Sequence, residues 1–127
     1  MLTLSIRKRH FYQIRNGYKL EEYKQIKPYY VIRFQKCKLL SEGCVPTNNL
    51  VPILFKTGQN KQKKTMIKNC LLTIGRGKRE WGAKNRITYF VLHVLNDEQI
   101  KQYHLLQASN ALPQEPDEVL KKSQISN

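Results

Sequence analysis

Just after an Asn-Gly pair the chain reads Tyr18-Lys19-Leu20-Glu21-Glu22-Tyr23-Lys24, placing two ammonium groups and two carboxylates within one short stretch. A lysine and a glutamate held in one cleft can grip a polar ligand, or move protons where burial shifts their pKa values. Spacing alone does not bring them together. Along a regular strand Glu22 and Lys24 share a face, whereas Lys19 and Glu22 do not. Lys19 joins the pair only if the glycine turn or a bulge re-aims it. Otherwise the same residues describe a solvated edge strand decorated with opposite charges.

A second constellation is Gly75-Arg76-Gly77-Lys78-Arg79-Glu80-Trp81-Gly82. Glycines let backbone N–H groups approach an anion, and Arg76, Lys78 and Arg79 add charge. Trp81 can stack on a base with cationic help, or cap the core with the basic residues simply solvated. The pattern is neither a dinucleotide fingerprint nor a P-loop. A third stretch, Lys56–Lys68, carries Lys61, Lys63 and Lys64 and can track a phosphate backbone without reading bases, or form a solvated hairpin tip. His10, His93 and His104 lack the Cys/His spacing of a zinc site, and no cofactor motif is present. Cys37, Cys44 and Cys70 form no C-x-x-C pair and read as small apolar residues. No nucleophile-elbow or Cys/His catalytic signature occurs.

These groups must be positioned by the elements around them. Leu2–Ile6 alternates like a half-buried strand, and Lys8–Asn16 reads as a helix closed by Gly17. Leu20–Ile26 is extended, and Pro28 opens a helix over Tyr29–Leu39. Ser41–Asn49 is a loop, Leu50–Lys56 a strand, and Thr57–Lys61 a turn. Lys64–Ile74 and Ile87–Leu95 are strands separated by a basic loop over Gly75–Lys84. Gln99–Leu106 suits a short helix, and the polar stretch Asn110–Asn127, with Pro113 and Pro116, suits a flexible tail. The order β-α-β-α-β-β-β, with five or six strands and two or three helices, predicts an α+β fold. Its expected form is a small mixed barrel flanked by helices.

At 127 residues the chain suits one domain, here 1–96, followed by a C-terminal extension, 97–127. Its hydrophobic content of 40% is too high for a disordered chain. It offers no apolar run of membrane-spanning length and no signal-like apolar N-terminus. The expectation is a cytoplasmic protein without a membrane partner, its odd number of cysteines arguing against a disulfide framework. The net charge is +14, distributed as +8 over residues 1–40, +8 over 41–95 and −2 over 96–127. The positive excess thus belongs to the folded part. It favours encounter with polyanions such as nucleic acid, and an acidic protein partner would suit it as well.

The run Gly17, Lys19, Glu22, Lys24, preceded by Leu4-Ser5-Ile6 and a helix ending Asn16-Gly17, resembles an ASCH domain, a member of the PUA-like superfamily of small RNA-associated β-barrels. Ile26-Lys27-Pro28-Tyr29-Tyr30 and the later Ile74-Gly75, Gly77 and Trp81-Gly82 are similar to small ASCH proteins carried by bacterial phages and prophages. The likeness spans roughly residues 2–96 and implies a PUA-like barrel whose glycine–lysine–glutamate segment lines a cleft for RNA or a nucleotide. On that reading Lys19 and Lys24 hold phosphate or a base edge and Glu22 accepts from a base amine. Tyr18, Tyr23 and Trp81 are stacking candidates. Some small ASCH proteins are amidohydrolases of N4-acetylcytidine that use a lysine, a threonine and a glutamate. Lys19 matches that lysine, with Glu22 where the threonine stands; the resemblance therefore also implies a catalytic alternative built on Lys19 and Glu22.

Overall fold

Alternation along the strands sorts the side chains into two faces, and the sheet curls around one of them. The structure, a computed structural model, describes residues 1–59 and 62–109. Among the described residues the elements run β1 (Thr3–Ser5), α1 (Lys8–Arg15), β2 (Glu21–Gln25), α2 (Pro28–Lys36), β3 (Val51–Thr57), β4 (Lys64–Arg76), β5 (Thr88–Val94) and α3 (Asp97–Ala108). The sheet order is β1-β3-β4-β5-β2, with β1 parallel to β3 and every other pair antiparallel. The result is a curled, mixed half-barrel with three helices, in which β1 and β2 are the two edges.

The concave face carries Leu4, Ile53, Phe55, Cys70, Leu72, Phe90, Leu92 and Val94, closed over by Phe11 and Ile14 of α1 and Phe34 of α2. Each fully buried Leu, Ile or Phe contributes roughly 1.5–3 kcal/mol of transfer free energy. The opposite face is covered in two places. Leu71 and Leu95 pack against Tyr103 of α3, while Tyr89 and Val91 pack against Ala83.

Both α1 and α2 end in a Schellman motif. Tyr18 N–H donates to Gln13 O at 2.8 Å and Gly17 N–H to Ile14 O at 3.1 Å, with Gly17 at φ +81°. A glycine relieves the steric cost of that left-handed position. At the end of α2, Lys38 takes the same position at φ +70°.

Three expectations shift. β4 runs on to Arg76, because Gly75 and Arg76 stay in register with Tyr89 and Thr88, and Arg79–Trp81 forms a 3-10 turn rather than open loop. β3 likewise includes Thr57, paired with Lys64. α3 starts earlier than the apolar pattern suggested, because Asn96 and Gln99 form a reciprocal capping box. Its docking through Tyr103 joins this part of the extension to the sheet. The tail expected over residues 110–127 lies outside the described residues, as does Lys61 of the basic stretch. Of the cysteines, Cys70 is buried and Cys37 half-buried, but Cys44 is exposed at φ +62° in the 41–49 loop and does not pack as an apolar residue. No helix among the described residues is long and apolar enough to cross a membrane.

Candidate ligand-binding site in the barrel seam

The Schellman turn decides where Lys19 goes. Lys19 N–H follows Tyr18 in bonding Gln13 O, at 3.1 Å, so the chain doubles back beneath α1 before β2 begins. Lys19 is only 1% exposed. Its ammonium donates to Glu22 Oε2 at 3.3 Å and to His10 Nδ1 at 2.7 Å. A nitrogen that accepts from an ammonium carries no proton, so the His10 ring proton resides on Nε2 while Lys19 is charged. Glu22 pairs with Leu92 and Lys24 with Phe90 in the ladder, and both belong to the concave face. Lys24 Nζ reaches 3.5 Å from Ser5 O on the far edge, which shows how closely the curl brings β1 and β2 together.

In this seam lies a cavity of about 510 Å³, lined among others by Ser5, His10, Lys19, Glu22, Lys24, Trp81 and Lys84. The volume lies within the range of small-molecule sites. Cavities of about 440 Å³ beside Met1 and Leu2 and about 480 Å³ beside Tyr103 are of similar size, so volume does not single out the seam. Its buried charges do. Burial pushes the Lys19 ammonium below the usual lysine range, although Glu22 pulls it back upward. Lys24 is lowered by burial in the same way, again opposed by Glu22. Burial, and then the charge of Lys19, pushes His10 below the ordinary imidazole value.

The structure thus brings Lys19, Glu22, Lys24 and Trp81 to one cavity. Arg76, Lys78 and Arg79 are exposed and lie outside its lining. Trp81 is half-buried in the 3-10 turn and belongs to none of the apolar clusters of the core. Its indole Nε1–H donates to Tyr18 O at 3.0 Å, and Lys78 Nζ stands 4.5 Å from its ring centroid. Tyr18 itself is exposed, whereas the Tyr23 ring packs beneath the turn. A Cβ on Gly77 would sit 2.5 Å from that ring, so only glycine lets the backbone pass so close.

Three basic lining groups were not among the site residues expected from the sequence: Arg7, His10 and Lys84. For His10 a signal existed. It is four residues before buried Ile14 and adjacent to buried Phe11, so it shares the inward side of α1. A second polar line crosses the convex face. Thr73 Oγ1 and His93 Nε2 are 2.6 Å apart, His93 Nδ1 is 3.8 Å from Glu21 Oε2, and Glu21 Oε1 accepts from Tyr23 Oη at 2.8 Å. The Tyr23 oxygen in turn accepts from Lys78 N–H at 2.8 Å. This line ties the turn that carries Trp81 to three strands. Among the described residues, no group of three His, Cys, Asp or Glu side chains is gathered as a metal site requires.

Comparison of the chain with models of known protein families, with curated proteins and with solved structures finds no match.

Proposed function

We propose that the chain binds RNA or a nucleotide in the seam cavity. One observation carries this reading: a lysine–glutamate pair with a second lysine lines a cavity of nucleotide size in a molecule of net charge +14. Lys24, with Arg7 and Lys84, supplies charge for phosphate. Glu22 has lone pairs left to accept from an exocyclic base amine, and Lys19 has one N–H left for a base carbonyl. Trp81 offers an aromatic surface beside them. The ASCH resemblance of residues 17–24 agrees with this assignment of roles. Trp81 is the single tryptophan of the chain, so its emission reports on the cavity directly. Titration with nucleoside monophosphates is expected to change that emission saturably, and Lys24→Ala to weaken binding severalfold. An emission unchanged at millimolar nucleotide would end this reading.

A second reading is favoured by the state of Lys19. An amine that is nearly inaccessible, pressed against an imidazole and lowered in pKa by burial, is closer to its basic form at neutral pH than an exposed lysine. As a neutral amine Lys19 would take a proton from water attacking an acyl carbon. The C–N bond would then break, and the proton would pass to the departing amine. N4-acetylcytidine is the substrate to test, with release of acetate and cytidine as the readout. Absence of turnover over a day retires the hydrolytic reading and leaves binding untouched. Pull-down before and after nuclease treatment separates both from an acidic protein partner, which alone would survive the nuclease.

A further inference from the structure

Beyond the seam the first turn of α2 carries two tyrosines, with Lys27 at the helix N-cap and Arg33 in its last turn, and neither reading uses them. Lys24, which lines the cavity, also places its Nζ 5.7 Å from the centroid of the Tyr30 ring. Lys27 approaches the same ring at 5.4 Å. Tyr30 is half-buried and stacks on Phe34, so it is a fixed surface. Its neighbour Tyr29 meets it edge-on with centroids 4.9 Å apart, yet is 51% exposed. The Arg33 guanidinium carbon lies 3.4 Å from the Tyr29 centroid, and Arg33 Nη1–H donates to Tyr29 O at 3.0 Å, which holds the guanidinium in place over the ring. α2 contains no acidic residue. From the cavity outward, cations and rings therefore form one chain of contacts: Lys24 and Lys27 on Tyr30, Tyr30 edge-on to Tyr29, and Tyr29 against Arg33.

We propose that this strip is a second subsite, on which the nucleotide flanking the one in the cavity stacks, so that the ligand is a single-stranded polynucleotide rather than a free nucleotide. The inference rests on the nucleotide-binding reading of the seam. The chemistry is that of single-strand binders, in which aromatic and guanidinium planes take up base faces and lysines between them follow the phosphates. An exposed tyrosine held in one stack with a half-buried arginine needs no rearrangement to receive a base, so little ordering entropy opposes binding.

The test compares two probes, octacytidylate and cytidine monophosphate, whose base carries the exocyclic amine assigned to Glu22, on the wild type, Tyr29→Ala, Tyr29→Phe and Arg33→Ala. Circular dichroism confirms that each variant is folded. Octacytidylate should bind more tightly than the monophosphate. Tyr29→Ala should weaken the octamer on the order of tenfold, and Arg33→Ala severalfold, while both leave the monophosphate unchanged. Tyr29→Phe should retain octamer affinity, because the ring and not the hydroxyl does the stacking. If Tyr29→Ala binds the octamer as the wild type does, or the octamer binds no better than the monophosphate, the strip is overturned while the cavity reading stands. If only the octamer binds, and binds through Tyr29, the strip holds single strands without the cavity, and both the cavity reading and the strip's role as its flanking subsite are overturned. If neither probe binds, both fall. Equal competition by oligoglutamate of matched charge would reduce the strip to a plain cationic surface and overturn it too.

Discussion

Lys19 and Glu22 form an ion pair that is almost wholly removed from water, and removing one partner leaves the other charge without its counter-ion. Glu22→Leu is expected to cost about 3 kcal/mol, and adding Lys19→Met to recover most of that loss, because replacing a buried pair with apolar groups is commonly neutral or better. Urea denaturation of the two single variants and the double closes the cycle; additive losses would show that the pair is not coupled. His10 supplies the pH dependence. Its folded pKa lies below the ordinary value near 6.5, so on acidification the unfolded chain takes up the proton first. Stability is therefore complete above about pH 6.5 and is lost as pH falls through the lower, folded value. Charging His10 also sets a second cation 2.7 Å from the Lys19 ammonium. Urea midpoints measured from pH 7.5 to 5 should fall more steeply for the wild type than for His10→Gln. Parallel curves would show that His10 titrates normally.

At the scale of elements, the 3-10 turn is held by a close fit between Gly77 and the Tyr23 ring and by the Tyr23–Lys78 hydrogen bond. Gly77→Ala would place a methyl group 2.5 Å from that ring and 2.6 Å from the Ala83 methyl, so one of them must move. The expected cost is about 1–3 kcal/mol, the range for an overpacked contact. The indole loses its fixed place at the same time, so Trp81 emission should shift to the red. Wild-type emission with wild-type stability would mean the turn is not anchored through Tyr23. Two helix boundaries were legible because their chemistry is local: Asn16-Gly17 ends α1 where the sequence pattern ends it, and Pro28 opens α2, although α2 stops at Lys36 and not at Leu39 because Lys38 turns left-handed. The end of β4 was not legible, since Gly75 and Arg76 owe their strand geometry to partners on β5. The start of α3 was also missed. The Asn96–Gln99 capping box was present in the sequence, but it lies ahead of the apolar stripe used to draw the helix.

For the molecule as a whole, the positive excess of residues 1–95 makes salt the most direct probe of what it meets. If Lys24, Lys27, Arg7 and Lys84 each neutralise one phosphate, the logarithm of octacytidylate affinity should fall against the logarithm of salt with a slope of roughly −3. Each of Lys24→Ala and Lys27→Ala should reduce that slope by about 0.7. A slope near zero would mean that contacts other than charge hold the strand. The half-barrel also explains why the cavity lies where it does. Its two edge strands, β1 and β2, are far apart in sheet order yet face each other across the seam, and α1 connects them.

Composition and local pattern determined the α+β class and the order of the elements, because strand period, helix caps and turn residues act over a few positions. They also marked Lys19, Glu22 and Lys24 as a group worth locating. Only the tertiary structure decided that these three share a cavity, since that depends on a left-handed turn at Gly17 and on the curl that sets Ser5 opposite Lys24. It also decided that His10, nine residues from Lys19 in sequence, is the closest polar contact of its ammonium, and that Trp81 belongs to the cavity rather than to the core. Contacts of that kind arise from long-range packing of the sheet, and no local periodicity encodes them.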